Sequence, residues 1–310
     1  MSKLAPGRAR TRTVTRGDLL ASLGSRLLSA NALLMFAFLY VPILVLIVFS
    51  FNAATVLEGG RVLAATVWRG FTVHWYEVLI HDVRIIDAVK NTLVVAIIST
   101  LLSTVMGTMA ALVMERQEFL GKLTFDAILY LPIIIPDVVM ALSLILFFVL
   151  IRMPQAIMGL SSSVSSITFL PAWLVSWLAR VITVTPIIIA HVAFNISFVA
   201  VVVRARLADF DITLEEAAKD LGANEWQTFR RITLPLIMPG ILGGALLAFT
   251  LSIDDFVITF FVSGPGSTTL PVRVFSMIRI GVTPEVNAIS SAMLLASIGL
   301  VLLSLAAERR

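Results

Sequence analysis

Residues 204–235 read RARLADFDITLEEAAKDLGANEWQTFRRITLP, a polar interruption between the apolar runs 181–203 and 236–262. Its local signals specify two short helices rather than coil. Thr213 followed three residues later by Glu216 has the form of a capping box, which predicts a helix from Leu214 through Leu221, closed by a left-handed turn at Gly222. Asn224 followed by Gln227 opens a second helix in the same way, ending near Arg231. Leu214, Ala217, Ala218 and Leu221 fall on one face at helical spacing, and the two alanines leave that face shallow enough for close approach by another surface. Trp226 and Phe229 add a second apolar face. On these features alone the loop reads as a solvated hairpin folded back on its neighbouring runs.

The runs on either side are membrane spans. Of the 310 residues 59% are hydrophobic and 14% charged, with a mean hydropathy of +1.00, a balance that no ordinary soluble domain carries. A helix needs about 20 apolar residues to cross the hydrocarbon at ~1.5 Å rise each. Six stretches qualify: 32–51, 92–114, 125–151, 181–203, 236–262 and 286–307. Six crossings place both termini on one side. The tail 1–29, the loops 115–124 and 204–235 and the C-terminus hold 15 of the 23 Lys and Arg, so that side is cytoplasmic. The chain then divides into a basic cytoplasmic tail, 1–29, and a transmembrane domain, 30–310. No small-residue cleavage site closes the first apolar run, which reads as a retained signal anchor. The apolar segment ITFLPAWLVSWLAR, 167–180, is too short to cross and carries Trp173 and Trp177, so it reads as an interfacial helix rather than a seventh span. Pro42, Pro132, Pro136, Pro186 and Pro239 predict kinks. With no cysteine and only scattered histidines (His74, His81, His191), no metal cluster is expected.

The run from Glu216, Ala217 and Ala218 through Gly222 to Ile232, Leu234 and Pro235 has the spacing EAA, three residues, Gly, nine residues, I-x-L-P. This resembles the EAA loop of ABC importer permeases. The order of spans, the stretch LPIIIPDVVMALSL (131–144) and the run from Leu247 to Ser290 resemble the second permease of spermidine and putrescine importers. The resemblance implies an all-α type I importer fold in a bacterial inner membrane. It further implies a second homologous permease, two ATP-binding subunits gripping the EAA helices at Glu216, Ala217, Ala218 and Gly222, and a periplasmic solute-binding protein. The long basic N-terminus and the Ser-rich loop 161–166 depart from the family pattern. The chain carries no G-x-x-x-x-G-K-[ST] phosphate loop, so ATP and Mg belong to the partner subunits and energy enters through a contact. Glu216 serves either to cap its own helix or to meet a basic residue on the ATPase.

Ionisable residues inside spans are costly and are paired or pathway-facing. Asp137 lies ~18 Å from the cytoplasmic start of its span and the Asp254–Asp255 pair ~27 Å. Adjacent helical residues point ~100° apart, and Asp255 falls nearer the seam of Gly240, Gly244 and Ala248, which leaves Asp254 as the expected pathway residue. Asp255, Asp137 and Glu285 are supporting candidates, against the alternative that they bond neighbouring helices, cap kinks or lie in an exposed loop. A cationic cargo entering such a chamber would regain from carboxylates part of its lost hydration. An opine, a thiamine-like cation or ferric ion remains open as cargo, because the EAA loop is silent on it. An ion-coupled secondary transporter would also use intramembrane carboxylates, but the sequence has no two matching hydrophobic halves. No catalytic motif of a membrane enzyme is present, and the basic residues follow the positive-inside bias rather than a nucleic-acid patch.

Overall fold

The computed structural model describes residues 16–53, 67–281 and 283–308, and every regular element among them is a helix. In order these are α1 (Arg16–Phe49), α2 (His74–His81), α3 (Val83–Arg116), α4 (Lys122–Ile134), α5 (Asp137–Leu150), α6 (Met153–Ser165), α7 (Ala172–Ala208), α8 (Thr213–Asp220) and α9 (Glu225–Thr228). A π-helical turn, Phe229–Thr233, leads into α10 (Leu234–Asp254), followed by α11 (Val257–Val262), α12 (Leu270–Ile280) and α13 (Pro284–Glu308). The described residues form two compact units, one from residues up to Tyr76 together with those from 282 onward, the other Glu77–Gly281.

In the first unit α1 packs on α13, and Asn52, just after α1, bonds to Val67, Arg69 and Trp75. Its side chain donates to the Val67 carbonyl and accepts from the Arg69 N–H, both at 2.8 Å, while its own carbonyl accepts from Trp75 Nε1 at 2.9 Å. Residues Gly24–Phe49, α3, α7 and Glu225–Asp254 are each long and apolar enough to cross a membrane. The last expected span falls on the 25-residue α13.

The third expected span, 125–151, is not one straight helix. It breaks into α4 and α5, bent by 110°. The reason is Pro136: it has no N–H to continue α4 and pushes Ile135 into the extended region (φ −71, ψ 132), while its carbonyl accepts from Val139 and Met140 to start α5. Asp126 in α4 pairs with Arg204 at the C-terminal end of α7, whereas Phe148 in α5 packs on Val184 and Val262. The fifth expected span, 236–262, breaks at Asp255 (ψ 122) into α10 and α11. The other prolines expected to kink, Pro42, Pro132, Pro186 and Pro239, lie inside continuous helices.

Residues 172–180, expected as a separate interfacial helix, are the first turns of α7. That helix of 37 residues would measure about 55 Å, longer than the bilayer core, so an amphipathic flank and a span merge without a break. Two further helices, α6 and α12, form where the sequence reading placed a Ser-rich loop and a connection.

α3 and α7 lie side by side and run parallel: Arg180 reaches Asp87 and Asn91 at one end, and Arg204 reaches Glu115 at the other. Lipid offers no hydrophobic drive to pair helices, so close packing must do it. α3 therefore buries a stripe of small residues that includes Ala96, Ser99, Ser103, Gly107 and Ala111. A Cβ at Gly107 would lie 2.7 Å from Val199 Cβ and 2.9 Å from the Ile196 carbonyl oxygen. α10 packs against both with Gly240, Gly244 and Ala248 buried, as expected of that seam. Gly107→Val should therefore destabilise by about 1–3 kcal/mol or more, read as a lower melting temperature of the solubilised protein, whereas Gly159→Ala, with open space around it, should not. Equal melting of Gly107→Val and wild type would contradict the close α3–α7 approach.

Candidate functional site

α8 begins with a different cap from the expected one. Asp211 Oδ1 accepts from the Thr213 N–H at 3.0 Å and from its hydroxyl at 2.8 Å, and these bonds, side chain first, hold the Asp211 carboxyl below its ordinary range. With the Thr213 hydroxyl so engaged, the box between Thr213 and Glu216 does not form, and Glu216 is exposed. The C-terminus follows expectation. Gly222 has φ +89, its N–H reaches the Lys219 carbonyl and that of Ala223 reaches Ala218, the paired bonds of a Schellman turn. The Asn224–Gln227 capping box also forms, with bonds of 2.8 and 3.0 Å.

The second helix does not end near Arg231. It passes through the π turn straight into α10, and the wider turn sits just before Pro235, which has no N–H to offer an α-helical ladder. Leu214 (47% exposed), Leu221 (90%) and Trp226 (65%) stand in the open, Ala217 is exposed and Ala218 half-buried. The face proposed for close approach is thus free among the described residues.

The opposite face of α8 carries a residue that the sequence reading passed over. Glu215 is 6% exposed and takes both guanidinium nitrogens of Arg116, at 2.5 and 2.8 Å, while the Thr233 hydroxyl donates to the same carboxylate. Burial alone would raise its pKa; Arg116 and Thr233 outweigh that and hold it below the usual range. Arg116 ends α3 and Thr233 precedes α10, so one carboxylate ties α8 to two spans. The doubled Glu215–Glu216 was the available signal, since a buried acid needs a cation and Arg116 lies at the end of a span. Beside this junction, a groove of about 460 Å³ runs between Arg116, Gln117, Trp226 and Phe229.

The candidate carboxylates occupy the helix breaks. Asp255 accepts from the Thr259 N–H at 2.8 Å, the Thr259 hydroxyl at 2.7 Å and the Ile258 N–H at 3.3 Å, which satisfies backbone donors freed at the start of α11. The fully buried His191 places Nε2 3.3 Å from the same carboxylate and 3.0 Å from Thr259 Oγ1. One turn along α7, Asn195 donates to Ser252 Oγ at 2.8 Å, and Ser252 meets Ser99 of α3 at 3.1 Å. His191 and Asn195 thus hold the two sides of the break. Sequence reasoning missed both. Asp254 is exposed and makes no hydrogen bond or ion pair among the described residues. Asp137 is exposed at the corner between α4 and α5. Glu285 lies half-buried in the first turn of α13, in the other compact unit.

Residues 103–309 match the family described as the binding-protein-dependent transport system inner membrane component. The chain belongs to that family. It is therefore the membrane-spanning permease subunit of an ABC importer and not itself an enzyme. It is 41% identical over 270 residues to the putrescine transport system permease protein PotI of Escherichia coli K12, covering 87% of this chain and 85% of that protein. It is 36% identical to the spermidine/putrescine transport system permease protein PotC of the same organism, covering 87% and 89%. A chain of a bacterial ABC transporter involved in importing the acidic polysaccharide alginate shares the fold, with a TM-score of 0.64 at 21% identity over 94% of this permease and 96% of that chain.

Removing the Glu215 charge tests the junction. Glu215→Gln should cost about 2–3 kcal/mol of stability at neutral pH, because Arg116 loses a charged, bidentate partner. The folded pKa lies below the unfolded value, so the contribution is complete above the ordinary 4.5 and fades as pH falls through the lower folded value. Melting of variant and wild type should therefore converge on acidification. A constant gap would show that the ion pair is not its source.

Proposed function

We propose that this permease passes polyamines, putrescine or spermidine, from a periplasmic solute-binding protein to the cytoplasm by alternating access. Two ATP-binding subunits drive it through α8, and a second homologous permease completes the channel. The observation that carries the cargo assignment is the similarity to two polyamine permeases over 87% of the chain. The fold alone cannot carry it, since the alginate transporter's cargo is acidic. What favours a cation is the exposed carboxylate of Asp254 at the α10–α11 break, with Asp255 next to it and Asp137 in support; Glu285 is a further candidate on the sequence alone. An amine that sheds water on entering regains interaction from an unpaired carboxylate, and an anion would be repelled.

The coupling role falls to Glu216, Ala217, Ala218 and Gly222. Their support is the short, well-capped α8, closed by Gly222 in a backbone conformation that favours glycine, and open on its apolar side. With 15 of the 23 basic residues in the tail, the C-terminus and the loops that share α8's side, α8 and both termini face the cytoplasm.

Asp254→Asn keeps size and hydrogen bonding but removes the charge. Uptake of radiolabelled putrescine or spermidine should fall at least tenfold while the complex still assembles, about the loss expected when a desolvated cation forfeits a charged partner. Undiminished uptake would remove Asp254 from the pathway.

The coupling helix has its own test. Gly222→Pro cannot adopt φ +89 or donate to Lys219, and Glu216→Lys reverses a charge on the open face, so each should abolish uptake in inserted protein. Ala218→Cys should crosslink to a cysteine in the ATPase docking groove in inside-out vesicles. Labelling of that cysteine solely from the periplasm would overturn the orientation.

A further inference from the structure

At the end of α3 and α7 remote from α8, a cavity of about 490 Å³ opens between the first turns of α3, residues 176–183 of α7, the loop after α11 and the start of α12. Its charged lining is Arg84, Arg180, Arg273 and a single carboxylate, Asp87. Arg180 is spoken for: it donates to Asp87 Oδ1 at 2.8 Å and to Asn91 Oδ1 at 2.7 Å. Asn91, in turn, donates to the Gly266 and Thr268 carbonyls at 3.0 Å, which fixes the loop that closes the wall. The other two guanidinium groups are held less firmly. Arg273 has a buried Nε with no hydrogen-bond partner, and its ion pair is a long 3.9 Å contact to Asp82. Arg84 is exposed and its guanidinium has no ion pair among the described residues.

A walled, polar cavity in which Arg84 has no ion pair among the described residues and Arg273 is only loosely paired with Asp82 favours an anion. It repels the polyamine cargo, so it is not a cargo site. We infer that this cavity receives an Asp or Glu carboxylate of the periplasmic solute-binding protein, held between Arg84 and Arg273. The inference rests on the orientation proposed above, which puts this end of α3 and α7 in the periplasm. The same two helices run unbroken to Arg116 and Arg204 at the other end, so a docked carboxylate presses on the elements that hold α8. Charge complementarity and position select the binding protein. An anionic lipid headgroup offers the same chemistry and is an outcome of the test.

The complete complex is reconstituted in proteoliposomes, and its ATP hydrolysis is titrated with putrescine-loaded binding protein at several salt concentrations. Arg84→Gln with Arg273→Gln should raise the half-maximal binding-protein concentration about tenfold at low salt and flatten its salt dependence. Arg273→Lys, which keeps the charge, should lie near wild type. Arg84→Gln alone, at an exposed position, should show the same trend in fully folded protein. An unchanged half-maximal concentration and salt slope in the double variant would overturn the inference. It would also be overturned if the double variant instead lost a stimulation by phosphatidylglycerol measured without binding protein, which would assign the cavity to lipid. Labelling Arg84→Cys in intact spheroplasts with an impermeant thiol reagent checks the side separately. No labelling there, with labelling in inside-out vesicles, would overturn the orientation and leave the cavity's preference for an anion as a separate result.

Discussion

Gly107 sits where any side chain would run into Val199, and that contact sets the terms for the rest of residues 77–281. Two parallel helices approach this closely in lipid only if one presents small residues, because dispersion at short range replaces the hydrophobic drive available in water. Once close, α3 and α7 are fastened at both ends, by Arg180 with Asp87 and Asn91 and by Arg204 with Glu115. Sliding by one helical turn, ~5.4 Å, would break both sets together. The pair is an axis on which the other helices of this unit pack.

The two broken helices lean on that axis. At Pro136 the break leaves little to repair, since proline has no donor to orphan and its carbonyl begins the next helix. At Asp255 the donors of Ile258 and Thr259 are freed within an apolar run, and the aspartate itself accepts them. A buried carboxylate in that position is tolerable only with further partners, which His191 and Thr259 supply. Because Asn195 grips Ser252 on the other side, the break is a held joint, and Asp254, next to it, is left open.

What was legible in the sequence follows from how local each signal is. The helix ends at Gly222 and Asn224 depend on residues within four positions and read correctly. The Thr213 box did not form, because Asp211, two residues upstream, competes for the same hydroxyl. The spans announced themselves by apolar length, but hydropathy averages over a window and so joined α4 to α5 and α10 to α11. It also could not show that residues 172–180 continue into α7, since a long helix and a flank followed by a span have the same composition. The choice between Glu215 and Glu216 was not local at all. They are neighbours ~100° apart on a helix, and which one turns inward is decided by Arg116, 99 residues away.

That distant pairing ties α8 to the helices beneath it rather than leaving it a surface appendage. A helix of eight residues has too few internal hydrogen bonds to resist force alone, but Glu215 anchors it to the end of α3 and, through Thr233, to the root of α10. α10 runs antiparallel to α3, so α8 is tied to neighbouring spans of opposite direction. From Thr233 the 21 residues of α10 reach about 32 Å, with Gly240 and Gly244 riding closely on α7, and end at Asp254 and the held joint. A partner working on the open face of α8, as proposed above, would have a route through unbroken helical backbone to the carboxylate proposed to meet the cargo. On that proposal the chain needs no nucleotide site of its own to couple the two.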